Sequence, residues 1–194
     1  MNLSSSQMAN ICLVILIGKG IIHYMVQRNI YENGRLTKIG KGGNMLVVLE
    51  GCDGSGKSTL ARFLSKIMNA EIVHCTASTP NNYDYFLNII EASKTRNIIA
   101  DRFCYGQFVY QEAEDRHLNM YQLYKLEAQM LTAGTKVVYV AISPEYAESR
   151  LRSRGDYEQT LDQLRKYVKG FENIFKQSSL NIYRYNTLTG GIEL

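Results

Sequence analysis

The sequence predicts an α/β fold of three layers around a five-stranded parallel sheet, and three observations carry that expectation. From Met45 onward, short apolar runs alternate with segments of helical period, as a parallel sheet with crossover helices requires. A glycine-rich turn, Gly51-Cys-Asp-Gly-Ser-Gly56-Lys57-Ser58, joins the first apolar run to the first helical segment. No repeat, low-complexity tract or linker interrupts residues 45–194, so they read as one domain, with residues 1–44 as an extra N-terminal segment.

The elements follow in order. Met45–Glu50 (MLVVLE) is a buried strand, and residues Lys57 to Met68 form the helix after it. Glu71–Cys75 is a second strand, Tyr83–Ser93 a helix and Asn97–Asp101 a third strand. The spacing predicts a helix over His117–Thr132, stopped by Gly134, which accepts the left-handed conformation past a helix end. Lys136–Ile142 (KVVYVAI) is a strand apolar on both faces, and Ser143-Pro144 supplies the cap and first-turn proline of the next helix. Leu161, Leu164, Val168, Phe171 and Phe175 make one stripe of a long amphipathic helix, and Leu180–Tyr185 closes the sheet as its fifth strand.

Composition narrows the class of partner. The chain of 194 residues is 45% hydrophobic and 21% charged, with a formal net charge of +4. The basic excess lies wholly in residues 1–44, where Lys19, Arg28, Arg35, Lys38 and Lys41 face Glu32 alone. The remainder is neutral, which argues against a nucleic-acid partner. The apolar run Ile11–Ile17 is too short to span a bilayer and has no basic residue before it, so neither a membrane anchor nor an export signal is expected. Residues 1–44 read either as an added strand or helix packed on the domain or as an upstream misannotation. In the second case Met45 is the native start, because Lys41-Gly42-Gly43 can be encoded by a sequence resembling a ribosome-binding site. Cys12, Cys52, Cys75 and Cys104 show no disulfide or zinc spacing, which suits a reduced cytoplasmic setting.

The turn at 51–58 matches G-x-x-x-x-G-K-[ST], the phosphate loop of P-loop NTPases. In such a loop successive backbone N–H groups face a phosphate and the following helix adds its positive end. Gly51, Asp53, Gly54, Ser55, Gly56, Lys57, Ser58 and Thr59 are therefore the expected ATP-binding residues, with Lys57 on the β and γ phosphates and Ser58 on Mg²⁺. Asp101-Arg102 sits at the carboxyl end of a buried strand, the edge where open α/β sheets bind ligands. Asp101 is expected in the Mg²⁺ shell, and Arg102 on an acceptor phosphate. Arg150, Arg152 and Arg154 end the Pro144 helix; the loop itself holds no arginine, so such a segment must supply the one that stabilises a transferring phosphoryl group.

Residues 49–60 resemble the thymidylate kinases, whose loops read close to E-G-x-D-G-S-G-K-[ST]-[TS], and Asp53 is the distinguishing letter. The resemblance continues at Asp101-Arg102-Phe103…Tyr110-Gln111 against D-R-[YFW]-x-x-S-x-x-A-Y-Q, with departures at Gly106 and Val109. It implies a nucleoside monophosphate kinase-like P-loop fold, with Asp53 near the acceptor sugar and transferring phosphate. It further implies Arg102, Phe103, Tyr110 and Gln111 around the acceptor, Arg150 and Arg154 in a catalytic lid, a solvated Arg152, and a homodimer. Other stretches depart from the family. Only about 20 residues separate the second strand from Asp101-Arg102, with Tyr83, Tyr85 and Phe86 as candidates for stacking on a base. The family's T-R-E-P appears as Ala77-Ser78-Thr79-Pro80, and its lid D-R-x-E as Asp156-Tyr157-Glu158. The expected activity is ATP- and Mg²⁺-dependent phosphorylation of dTMP or a related deoxynucleoside monophosphate. The alternatives are a deoxynucleoside kinase and a P-loop nucleotide-binding protein that phosphorylates no small acceptor.

Overall fold

The structure is a computed structural model that describes residues 29–32, 35–38, 44–76, 79–80, 82–110, 118–189 and 192–193. Two short strands, Asn29–Glu32 (β1) and Arg35–Lys38 (β2), pair antiparallel as a separate two-stranded sheet. The elements that follow are β3 (Leu46–Glu50), α1 (Lys57–Met68), β4 (Glu71–His74), α2 (Tyr83–Ala92), β5 (Ile98–Asp101) and α3 (Gly106–Val109). Then come α4 (Met120–Thr132), β6 (Lys136–Ala141), α5 (Pro144–Arg152), α6 (Leu161–Lys176), β7 (Ile182–Asn186) and β8 (Ile192–Glu193).

The main sheet runs β4-β5-β3-β6-β7-β8. Its first five strands are parallel, as the sequence predicts; β8, two residues long and antiparallel to β7, is an addition. The central strand β3 is buried throughout because both faces of the sheet are covered. Leu46 and Val48 point into a core with Phe86 of α2, Leu126 and Met130 of α4 and Phe171 of α6. Val47 and Leu49 point the other way, onto Leu60 and Leu64 of α1. This alternation turns an unbroken apolar run into two hydrophobic interfaces.

Local chemistry fixes the helix ends. Asn119 and Gln122 form a reciprocal capping box at the start of α4, which begins at Met120; His117, where the sequence reading starts this helix, lies outside the described residues. Thr160 and Gln163 do the same for α6, and Ser143 with Pro144 starts α5 as read from the sequence. Gly134 adopts φ +68° just beyond α4. Along α6, Leu164 and Phe171 have no exposed surface, so the predicted stripe is the buried face of this helix. Among the described residues no helix is long and apolar enough to cross a membrane.

Phe171 touches the rings of Tyr110, Tyr139 and Phe175 while filling the core under β3 and β6. Phe171→Ala is expected to cost about 3 to 5 kcal/mol of stability, read from the urea denaturation midpoint.

Candidate active site

Parallel pairing brings the carboxyl ends of β3 and β5 to one edge. Leu49 lies opposite Asp101, and the Arg102 N–H donates to the Leu49 carbonyl at 3.0 Å. The loop after β3 curls tightly over that edge. Gly54 has φ +76°, and a Cβ there would come within 2.7 Å of the Ala147 carbonyl oxygen, so only glycine lets the loop lie against α5. Lys57 is 5% exposed and folds back into the loop, its Nζ donating to the carbonyls of Gly51 (2.7 Å) and Cys52 (2.8 Å). Burial pulls its pKa down, and those carbonyls satisfy the ammonium where an anion is not bound.

Asp101 is almost fully buried at the end of β5. The Ser58 hydroxyl donates to its Oδ2 at 2.6 Å, and His74 Nδ1 lies 3.0 Å from the same oxygen. The other oxygen, Oδ1, is buried and has no hydrogen-bond partner among the described residues. A hydroxyl and a buried carboxylate oxygen with spare acceptor capacity are a donor set that a hard, water-carrying cation fits.

Asp53, at the crest of the loop, is held from two sides. Arg102 ion-pairs with its Oδ1, and Gln159, from the segment between α5 and α6, donates to Oδ2 at 2.6 Å. Arg102 adopts φ +71°, an unusual conformation for a branched-at-nothing but Cβ-bearing residue that costs on the order of 1 kcal/mol. Its guanidinium lies 5.8 Å from the centre of the Tyr110 ring, and the Tyr110 hydroxyl donates to the Gly51 carbonyl at 3.3 Å. Tyr110 packs against Tyr167 and Phe171 of α6, and its burial drives the phenol pKa far up.

A cleft of about 350 Å³ opens between these groups, lined by Lys57, Ser58, Thr59 and Arg102 among others. Arg154 and Asp156 close it from beyond α5, and Arg62 and His74 close it from α1 and β4. Arg150 reaches the loop from α5, its NH1 donating to the Ser55 carbonyl at 3.5 Å. Arg152 points to solvent and pairs with Glu148, in keeping with the sequence expectation.

Two expectations are corrected. Phe103 does not face the cleft: it is 3% exposed and packs edge-on against Phe86 at 4.7 Å, because the apolar core beneath β5 takes the ring. Phe86 is fully buried for the same reason and offers no surface to a base; Tyr85 spends its hydroxyl near Cys75 Sγ. Gln111, Ala77 and Ser78 lie outside the described residues. Conversely, sequence reasoning missed His74, Gln159, Arg62 and Glu50. Strand register could have placed His74 beside Asp101, which it faces across β4 and β5; nothing local marks Gln159.

Similarity to known proteins accords with this geometry. No family model matches the chain. The thymidylate kinase of Leptospira interrogans is 26% identical over 71% of this chain and 85% of its own length. That of Campylobacter hominis is 24% identical over 68% of this chain and 86% of its own. Among solved structures, the YorR protein of Bacillus subtilis, crystallised with phosphorylated GDP, superposes with a TM-score of 0.64 at 27% identity, covering 73% of this chain and 85% of YorR. The chain is similar to thymidylate kinases and shares the fold of P-loop kinases. Polyphosphate kinase 2 of Arthrobacter aurescens shares the fold at 17% identity, with a TM-score of 0.54 over 90% of this chain and 68% of that one.

The chain also buries a carboxylate directly under its phosphate loop. Glu50 has no exposed surface, and burial raises its pKa from 4.5 to about 7 even though Lys57 and backbone N–H groups pull the other way. Between those two values the folded chain binds more protons than the unfolded one, so this group's contribution to stability falls as pH rises. Relative to Glu50→Gln, the wild type is expected to lose up to about 3 kcal/mol between pH 4.5 and 8. Urea midpoints of both proteins at those pH values measure the difference, which should shrink to nothing if Glu50 titrates normally in the folded state.

Proposed function

We propose that the chain transfers the γ-phosphoryl group of ATP to a deoxynucleoside monophosphate, dTMP or a close relative. The observation that carries this reading is the meeting of Arg102 and Asp53 with the phosphate loop in one cleft that Arg154 and Arg62 also line. A phosphate donor and a phosphate-bearing acceptor both need positive charge there, and the relatives named above are thymidylate kinases.

In this reading Lys57 leaves the loop carbonyls for the β and γ phosphates, and the loop N–H groups cradle them. Ser58 and Asp101 would hold Mg²⁺, the buried and unpartnered Asp101 Oδ1 being the feature that fits it. The ion, when bound, neutralises charge across the β and γ phosphates. Arg102 exchanges the Asp53 carboxylate for the acceptor phosphate, and Asp53 turns to the acceptor sugar. An oxygen of that phosphate attacks the γ-phosphorus as the bond to the bridging β–γ oxygen breaks, and ADP leaves. Arg154, with Arg150 behind it, spreads the charge of the moving group. Tyr110, beside Arg102, belongs to the acceptor side.

A nucleoside acceptor is the second reading, favoured by Ser78 standing where thymidylate kinases carry a phosphate-binding arginine. The full chain incubated with ATP·Mg²⁺ and a panel of nucleosides and monophosphates separates the two through the ADP formed. Monophosphate-dependent turnover is expected, and turnover with nucleosides alone would transfer the assignment to the second reading. In the same assay Lys57→Ala and Arg102→Ala should lower kcat/KM by about 10³, and Arg154→Ala by about 10² to 10³.

A further inference from the structure

Glu50 is the last residue of β3, and its carboxylate does not face the cleft. It reaches under the loop to the segment after β5, where one oxygen, Oε1, accepts three backbone N–H groups: Phe103 at 2.9 Å, Tyr105 at 3.1 Å and Gly106 at 3.3 Å. The turn from Phe103 to Gly106 is thus wound around a single buried oxygen. Arg102 is the residue immediately before it and sits at φ +71°, a conformation that a Cβ-bearing residue keeps only where its surroundings impose it. Two anchors surround that residue: its own N–H on the Leu49 carbonyl, and the turn fastened to Glu50 one residue on.

The second oxygen, Oε2, is buried without a partner among the described residues. It lies beside Gly106, where an added Cβ would stand 3.8 Å from it and 3.5 Å from the Tyr110 ring. A carboxylate kept in this position at the expense of one unsatisfied oxygen is costly for stability, and an apolar residue would suit the core better. What the cost maintains is the path of the chain at Arg102.

We propose that Glu50 is a positioning residue for Arg102: its buried carboxylate is the template for the 103–106 turn, and through that turn it holds the guanidinium in the acceptor half of the cleft. This rests on Arg102 as the acceptor-phosphate ligand, the role given above. The raised pKa of Glu50 agrees with the burial the role requires. Titratable groups sharing its surroundings are Lys57 from α1, Arg102 just before the turn, Cys104 on it, Cys75 past β4 and Tyr110 past α3.

Glu50→Gln keeps the shape, removes the charge and places an NH₂ where Oε2 was. In steady-state assays of the full chain, KM for the monophosphate should rise about tenfold or more, with KM for ATP within about twofold of wild type. Equal changes in both constants, or none in a variant whose far-UV circular dichroism and ATP affinity are those of wild type, would overturn the proposal. Glu50→Asp, which keeps the charge but withdraws it by one methylene, carries the same test should the Gln variant not fold. A second readout is independent of the acceptor: amide exchange at Phe103, Tyr105 and Gly106 should quicken about tenfold in Glu50→Gln. If wild type phosphorylates no monophosphate, the functional reading fails while this exchange still decides the positioning role; unchanged rates at those three amides would end it.

Discussion

The parallel pairing of β3 with β5 is the constraint on which the site depends. It ends in the hydrogen bond from the Arg102 N–H to the Leu49 carbonyl, beyond which both chains leave the sheet at the same edge. Because the strands are parallel, the phosphate loop and the Asp101-Arg102 pair emerge side by side although about fifty residues separate them in sequence. Ser58 can then reach Asp101, Asp53 can reach Arg102, and Glu50 can reach the turn beyond it. A one-residue slip would send Asp101 to the other face of the sheet and separate all three pairs.

Charge is distributed around that edge in a way that composition hides. The net +4 of the chain belongs to residues 1–44, and residues 45–194 sum to zero. Among the arginines with described side chains, Arg96, Arg102, Arg152, Arg165 and Arg184 each have a carboxylate within ion-pair distance. Arg62, Arg150 and Arg154 are without such a carboxylate among the described residues; the first and last line the cleft, and Arg150 lies against the phosphate loop. The arginines left without a carboxylate are therefore gathered where phosphates would sit.

What could be read from the sequence was what local rules determine. The five parallel strands, the phosphate loop, the Ser143-Pro144 start of α5 and the buried stripe of α6 each follow from periodicity, capping or a motif within a few residues. Two elements escaped because they are too short to show a period: α3, of four residues, and β8, of two. Phe103 was misplaced because a motif gives a residue's position along the chain and not the direction of its ring, which the core under β5 decides. His74, Gln159 and Glu50 matter through partners 27, 106 and 53 residues away, and their roles exist only once the sheet has formed. The burial of Glu50 is the least legible of these, since a charged residue ending an apolar strand ordinarily marks the point where the strand meets solvent.

The central claim is that donor and acceptor nucleotides occupy one continuous cleft, with the phosphate loop on one side of the transferring group and the Asp53–Arg102 pair on the other. The most direct test is the binding of adenosine and thymidine joined 5′ to 5′ through five phosphates, a molecule that spans both halves at once. Measured by calorimetry on the full chain with Mg²⁺, it should bind about tenfold or more tightly than ATP, with the advantage lost in Arg102→Ala. An affinity no greater than that of ATP, or one indifferent to Arg102, would contradict the account.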